Sequence, residues 1–222
     1  MEVIEADIIK NQKNADLVFT LKNVIQKFKP TTIIHLAAQA GVRLPVEDYK
    51  KYVDSNLNAF VNITTSSVNS SVENILYASS SSVYGNTAKL PYSESDSNLH
   101  PLSFYGVTKL TNELMAEVIT KNSGIKTRGL RFFTAYGTYG RPDMAYFKIA
   151  KSLIQKSTFE LNGDGSIKRD FTNISDVVES IELLTEELNE RDTSIADIVN
   201  IDRKSTRLNS SHTDISRMPS SA

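Results

Sequence analysis

Residues 75–86, ILYASSSSVYGN, admit two readings that lead to different proteins. Four consecutive serines have the composition of a solvated tether, yet an apolar run leads into them and VYG follows. The flanking segments decide between the two. Residues 74–79 read as a core strand, residues 85–101 as an Asn-, Ser-, Pro- and Asp-rich loop, and residues 105–120 as a helix. The serines therefore stand at the C-terminal end of a buried strand, the edge at which open parallel sheets bind their ligands.

The same alternation extends in both directions. Residues 32–36 are a continuous apolar strand of the kind buried on both faces of a parallel sheet. Before it, Leu17, Val18, Leu21, Val24, Ile25 and Phe28 recur at helical spacing until Pro30, and residues 3–5 can form a short strand. Residues 48–69 read as one long helix. The helix at 105–120 has Leu110, Leu114, Met115 and Val118 on one face, and a strand at 127–133 follows. A helix at 144–155, a turn at LNGDGS, a helix at 175–188 and a strand at 197–201 look like the start of a second lobe. This rhythm predicts an α/β fold with right-handed crossovers.

With 222 residues, 40% hydrophobic and 23% charged, the chain has the composition of a soluble globular protein of one or two domains. Its net charge of −1 and pI near 6.3 give no sequence-wide footprint for nucleic acid or anionic membrane. It has no cysteine, which excludes thiolate catalysis and fits a reducing compartment. His35, His100 and His212 lack ligand spacing, so no metal site is expected. No apolar run is long enough to span a bilayer and the N-terminus is not signal-peptide-like; a cytoplasmic protein is expected, with the possibility of an anchor upstream of Met1 left open.

From Asp202 the sequence reads DRKSTRLNSSHTDISRMPSSA, with almost no apolar content. DRKSTRLNSSH and SRMPSSA back-translate to the two segments of a common short-read sequencing adapter, in a frame that leaves Thr213–Ile215 to an index. Disorder explains the composition, but not agreement with one oligonucleotide. Residues 202–222 are therefore read as a translated adapter and set aside.

The helix after the serines begins FYGVTKL, placing Tyr105 and Lys109 four residues apart on one face. A tyrosine, with an ordinary pKa of about 10, is a poor base at neutral pH. A lysine ammonium nearby favours the phenolate, and a serine hydroxyl from the strand end can hold a substrate hydroxyl in line for proton transfer. YxxxK alone is weak; joined to SSSSVYG at the preceding strand end it is specific.

Together, HLAAQAGVR (35–43), YASSSSVYG (77–85), the YxxxK helix, LRFFTAYGTYGRPDMA (130–145) and KRDFT (168–172) resemble the nucleotide-sugar epimerases and dehydratases of the extended short-chain dehydrogenase/reductase family, and within it the UDP-glucuronate 4-epimerases. The resemblance implies an NAD-binding Rossmann domain, a smaller UDP-sugar lobe and a homodimer. It also implies a reversible reaction: the tyrosinate takes the proton of the sugar 4-hydroxyl, hydride leaves C4 for NAD, and it returns to the opposite face of the 4-keto sugar. Residue by residue, the catalytic positions fall on Ser80, Tyr105 and Lys109. Cofactor positions fall on Asp7, Ile8, Leu36, Ala37, Ala38, Asn56 and Phe132, besides Tyr105 and Lys109. Substrate positions fall on Arg43, Ser81, Thr134, Arg141 and Arg169, with Thr134 and Arg141 at the carboxylate and Arg169 at the pyrophosphate. Related dehydratases place Asp-Glu, and decarboxylases a glutamate, where Ser81 and Ser82 stand, so epimerisation is preferred. Another enzyme of the family, or a non-catalytic nucleotide-binding protein, is the alternative.

The family opens with a strand and a GxxGxxG turn that holds the pyrophosphate. Here the first glycine is Gly41. The expected fold is thus an incomplete Rossmann-type parallel sheet lacking its first strand, with apolar edges exposed on that strand's neighbours. Residues 1–137 form the partial NAD domain, residues 138–201 a partial UDP-sugar lobe interleaved with the sheet. The polypeptide as written is expected to bind NAD poorly and turn over little.

Overall fold

The computed structural model describes residues 21–41, 43–86, 88–159, 170–191 and 193–202. The expected strand at 3–5, the first turns of the helix at 17–28 and the tail from 203 lie outside them. In chain order the elements are α1 (Leu21–Phe28), β1 (Thr32–His35), α2 (Tyr49–Tyr52), a π-helical turn (Val53–Asn58), α3 (Ala59–Ser67), β2 (Asn74–Ser80), α4 (Phe104–Ser123), β3 (Lys126–Phe132), β4 (Thr134–Tyr136), α5 (Ala145–Gln155), β5 (Phe171–Asn173), α6 (Ile174–Glu190) and β6 (Ala196–Ile201). They divide into two compact units, Met1–Phe132 with Leu184–Asn200, and Phe133–Leu183 with Ile201–Ala222.

The first unit is built on a sheet of order β1-β2-β3-β6. β1 pairs with β2 in parallel from Thr32↔Asn74 to His35↔Tyr77, and β2 with β3 from Asn74↔Lys126 to Ser80↔Phe132. Side-chain alternation along β2 separates two faces. Ile75, Tyr77 and Ser79 face α1, α3 and α4. There Ile25, Ile63, Val72, Ile75 and Ile125 form one core cluster, and Phe60, Tyr77 and Ala116 another. Asn74 and Leu76 face the end of α6, where the Asn74 amide donates to Asn189 Oδ1 at 2.6 Å. Burying a side chain such as Ile75 or Leu76 contributes roughly 1.5–3 kcal/mol. Gly129, opposite Tyr77, makes room for the phenol: a Cβ there would stand 2.6 Å from its oxygen.

Three expectations are revised. Residues 32–36 were expected to be buried on both faces, yet Ile34 and Leu36 are 47% and 50% exposed, because β1 is an edge strand among the described residues. The single helix at 48–69 is interrupted by a 3₁₀ turn at Val46–Asp48 and the π turn at Val53–Asn58. In α4 the apolar stripe divides: Leu114 and Val118 are exposed, Leu110 is half-buried and Met115 packs against the Phe60, Tyr77 and Ala116 cluster, while Thr108, Lys109, Asn112, Glu113 and Thr120 are buried. Polar anchors to the sheet act beside hydrophobic packing in setting the rotation of this helix. Its ends follow ordinary capping, with Ser103 Oγ accepting Gly106 N–H and Gly124 at φ 76° closing the last turn.

The strand at 196–201, read with the second lobe, is the fourth strand of the main sheet. Its hydrogen bonds run Thr127 N–H to Ile195 O and Phe133 N–H to Ile201 O. Arg128 fixes it there. The guanidinium is fully buried and donates to both Asp197 oxygens (2.7 and 2.6 Å), to Glu187 Oε2 (2.6 Å) and to the Leu184 carbonyl (3.2 Å). In the second unit, β4 and β5 pair in parallel, Thr134↔Phe171 to Tyr136↔Asn173.

Removing one partner of a buried ion pair costs about 3–5 kcal/mol. Arg128→Met should lower stability by about 3 kcal/mol, since Asp197 and Glu187 each keep some contact with water. Urea denaturation checks this; an unchanged midpoint would show that β6 is held by its ladder alone.

Candidate active site

The serine run ends β2 and turns. Ser80 is the last strand residue, and its Oγ accepts the Ser82 N–H at 3.2 Å and lies 3.2 Å from Ser82 Oγ. Ser81–Val83 form a 3₁₀ turn closed by Tyr84 N–H to Ser81 O. The first turn of α4 abuts this serine turn, because a Cβ on Gly106 would stand 2.8 Å from the Ser82 carbonyl oxygen. Glycine at 106 thus lets Tyr105 approach the strand end. The Tyr105 ring lies 6.1 Å from that of Tyr52.

One turn along α4, Lys109 is 2% exposed and its Nζ donates to the Ala78 carbonyl at 2.8 Å, 5.6 Å from the centre of the Tyr105 ring. Ala78 is one residue past the last β1–β2 pair. Burial pushes the Lys109 pKa down to about 8. An ammonium has three donors, so the Ala78 bond leaves donors for a phenolate and for a ligand hydroxyl. His35, also buried, has its pKa lowered to about 4 by desolvation and then by the Lys109 charge. It is neutral at pH 7 and packs against Phe60 with 6.2 Å between ring centres.

Asn56 comes from the π turn, a feature frequent at functional sites. It is 1% exposed. Its Oδ1 accepts the Gln39 N–H (2.8 Å), and its amide donates to Gln39 O (3.3 Å) and Thr108 Oγ1 (3.0 Å). Both amide donors are therefore engaged within the chain. Asn56, expected beside a dinucleotide, ties the loop of Leu36, Ala37 and Ala38 to Thr108 of α4, between Tyr105 and Lys109. Leu36 and Ala37 are exposed and Ala38 half-buried at the sheet edge. Phe132, half-buried, ends β3 opposite Ser80. The Tyr52 hydroxyl donates to Gly41 O (2.5 Å) and accepts Leu44 N–H (3.5 Å), pinning the loop that presents exposed Arg43.

In the second unit, Thr134 opens β4. Arg141 is half-exposed and its fork engages Asp143, with Nε 3.0 Å from Oδ1 and Nη2 2.5 Å from Oδ2. That hydrogen bonding holds the Asp143 carboxyl below its ordinary range. An exposed pair of this kind exchanges readily. Asp7, Ile8 and Arg169 lie outside the described residues.

The sequence reading missed Glu113, Ser79 and Arg131. Glu113 Oε1 accepts the Ser79 hydroxyl (2.5 Å) and Arg131 Nε (2.9 Å), and Oε2 accepts Arg131 Nη2 (2.8 Å), all buried. The signal was available: Tyr105, Lys109 and Glu113 recur at four-residue spacing, one helix face. Among the described residues, no group of three or more His, Asp or Glu could hold a metal, and no helix is long and apolar enough to cross a membrane.

The residues at this edge fit the nicotinamide–ribose half of NAD in their chemistry: Leu36 and Ala37 are apolar and exposed, and Lys109 retains donors for a hydroxyl. Comparison with known proteins points the same way. The model of the NAD dependent epimerase/dehydratase family matches residues 3–202. Protein CapI of Staphylococcus aureus is 45% identical over 164 residues, 74% of this chain and 49% of the relative. A probable UDP-glucuronate 4-epimerase of Rhizobium meliloti (strain 1021) is 42% identical over 153 residues, 69% of this chain and 45% of the relative. The chain spans about half the length of the curated relatives it matches. Among solved structures, a UDP-glucuronic acid 4-epimerase from Bacillus cereus in complex with UDP-glucuronic acid and NAD superposes with a TM-score of 0.72 at 32% identity, covering 89% of this chain and 58% of the other. MoeE5 in complex with UDP-glucuronic acid and NAD gives 0.76 at 32% identity, covering 91% and 63%. With a parallel α/β sheet, a serine turn at a strand end and a buried YxxxK lysine, the chain belongs to the NAD dependent epimerase/dehydratase family.

Proposed function

We propose that the whole protein catalyses the NAD-dependent 4-epimerisation of a UDP-uronic acid, interconverting UDP-glucuronate and UDP-galacturonate. The observation that carries the reading is the buried Lys109 ammonium, held on the Ala78 carbonyl beside Tyr105 and next to the turn of Ser80. A protein that only binds nucleotide has no use for a desolvated cation beside a phenol, and burying one is costly.

Bound NAD supplies a reversible hydride acceptor for the sugar C4. The chain's own residues handle the proton. Ser80 Oγ accepts a backbone N–H from its own turn, so its proton can leave Ser82 and point at the sugar 4-hydroxyl. Tyr105, stabilised as the phenolate by Lys109, takes the hydroxyl proton and later returns it. Leu36, Ala37, Ala38 and Phe132 would hold the nicotinamide end, with Asn56 fixing the loop from behind, and Asp7 and Ile8 the adenosine end. Ser81 and Ser82 carry no carboxylate, so the turn lacks the acid and base for eliminating water. Thr134 and Arg141 supply recognition of the uronate carboxylate, Arg141 by exchanging Asp143 for it in a bidentate pair. Arg43 and Arg169 are the further substrate contacts. Val107, Leu114 and Val118 form an exposed apolar stripe along α4 that a homodimer would bury. A cytoplasmic location accords with the lack of cysteine.

Turnover of UDP-glucuronate, UDP-galacturonate and UDP-galactose, assayed side by side on the whole protein, tests the substrate. The acid sugars should interconvert at least tenfold faster than the neutral one; preference for UDP-galactose would overturn the uronate assignment. In Tyr105→Phe, turnover should fall at least a thousandfold with NAD still bound, and retained activity would remove Tyr105 from the chemistry.

Lys109 gives a pH dependence of definite sign. Its cation is disfavoured by desolvation, so the folded chain loses this proton near pH 8 whereas the unfolded chain keeps it to the ordinary lysine range. Between those limits the unfolded state binds more protons, and this group's contribution to stability rises with pH. Activity runs the other way, since the neutral amine no longer supports the phenolate: kcat should decline above about pH 8. Lys109→Arg, which keeps its charge, should move that decline upward by a unit or more, with a pH–rate profile as the readout; a limb that stays in place would assign it to another group.

A further inference from the structure

Three consecutive residues at the end of β2 each engage a different requirement of the site. The Ala78 carbonyl accepts Lys109 Nζ, the Ser79 hydroxyl donates to Glu113 Oε1, and Ser80 offers the hydroxyl to substrate. Lys109 and Glu113 are one turn apart on α4, so a single helix face holds two successive residues of a single strand end. Ser79 points to the α4 face of the sheet and Ser80 to the opposite one. Glu113 is itself fixed from the neighbouring strand. Arg131, paired with Ser79 in the β2–β3 register, grips both its oxygens, and stacks 4.7 Å over the Tyr84 ring that ends the serine turn.

We propose that Glu113 is a positioning residue for the epimerisation, acting through Ser79 to set the axial register of α4 against the serine strand and hence the placing of Tyr105 and Lys109 beside Ser80. This rests on the epimerase reading above. Hydrophobic packing holds the helix on either side of this level, through Phe104 stacked on Tyr49 at 4.4 Å and through Met115, Ala116 and Ile119 against Phe60 and Tyr77, but the residues buried at the level of the strand end are Thr108, Lys109, Asn112 and Glu113. A helix held by packing alone can slide by fractions of a turn, whereas a carboxylate bonded to one hydroxyl and a bidentate guanidinium on two adjacent strands has one seat. Proton transfer is sensitive to such slides, a misplacement of about 1 Å being worth roughly a hundredfold in rate.

The test uses Ser79→Ala, which deletes the link to the serine strand and leaves the Glu113–Arg131 pair in place. In the whole protein, kcat for the UDP-uronic acid should fall about tenfold or more while KM stays within about threefold and the melting temperature changes little. Glu113→Gln should show the same split with a larger loss, and Glu113→Asp, charged but a methylene too short, should not rescue it. In the chain itself, amide hydrogen exchange needs no substrate: Ser79→Ala should speed exchange of the serine turn and of the first turn of α4. A folded Ser79→Ala protein with unchanged kcat and unchanged exchange would reduce Glu113 to a structural ion pair and overturn the proposal. Failure of the wild-type whole protein to epimerise any UDP-uronic acid would instead overturn the epimerase reading, leaving the exchange measurement to decide whether Glu113 sets the register.

Discussion

An ammonium group buried between a helix and a sheet has few acceptable partners, and Lys109 finds one in the Ala78 carbonyl. Much else follows from satisfying that group. The carbonyl is available because β2 runs on past the end of β1. The helix must turn its polar side inward, so Thr108, Asn112 and Glu113 are buried with the lysine and each needs its own bonds. Thr108 receives the Asn56 amide, and Glu113 receives Ser79 and Arg131. Val107, Leu114 and Val118 of the same helix are left exposed, while Met115, Ala116 and Ile119 pack against Phe60 and Tyr77. A buried polar face is costly when half-satisfied and rigid when fully satisfied. Here that face lies against the end of β2, beside the serine turn and the first turn of α4.

The α/β class and most elements were legible because periodicity reports burial, and the interior of this sheet is ordinary: Ile75, Leu76 and Leu130 are fully buried as an apolar strand pattern predicts. The candidate site was legible as a cluster because its residues are close in sequence, the serines at a strand end and Tyr105 with Lys109 at helical spacing. What was not legible depends on contacts distant in sequence. No pattern in residues 105–120 tells which side of α4 faces the sheet once polar groups outbid apolar ones, since that is decided by Arg131 and Ala78. The break in the helix at residues 53–58 is likewise set by the loop at Gln39 that Asn56 has to reach.

The fourth strand makes the same point from the other side of the sheet. Residues 196–201 have a strand's composition but nothing that names a neighbour. The neighbour is chosen by Asp197 meeting the buried Arg128, a pairing across some seventy residues of chain.

The central claim, that this edge of the sheet handles the 4-hydroxyl of a UDP-uronic acid while hydride leaves and returns within one site, is tested most directly with UDP-glucuronate carrying deuterium at C4, incubated with the whole protein and NAD. The account predicts UDP-galacturonate that retains the deuterium at C4, because the hydride is returned without exchange with water. Product formed with the label lost to solvent, or no change of configuration at C4, would contradict it.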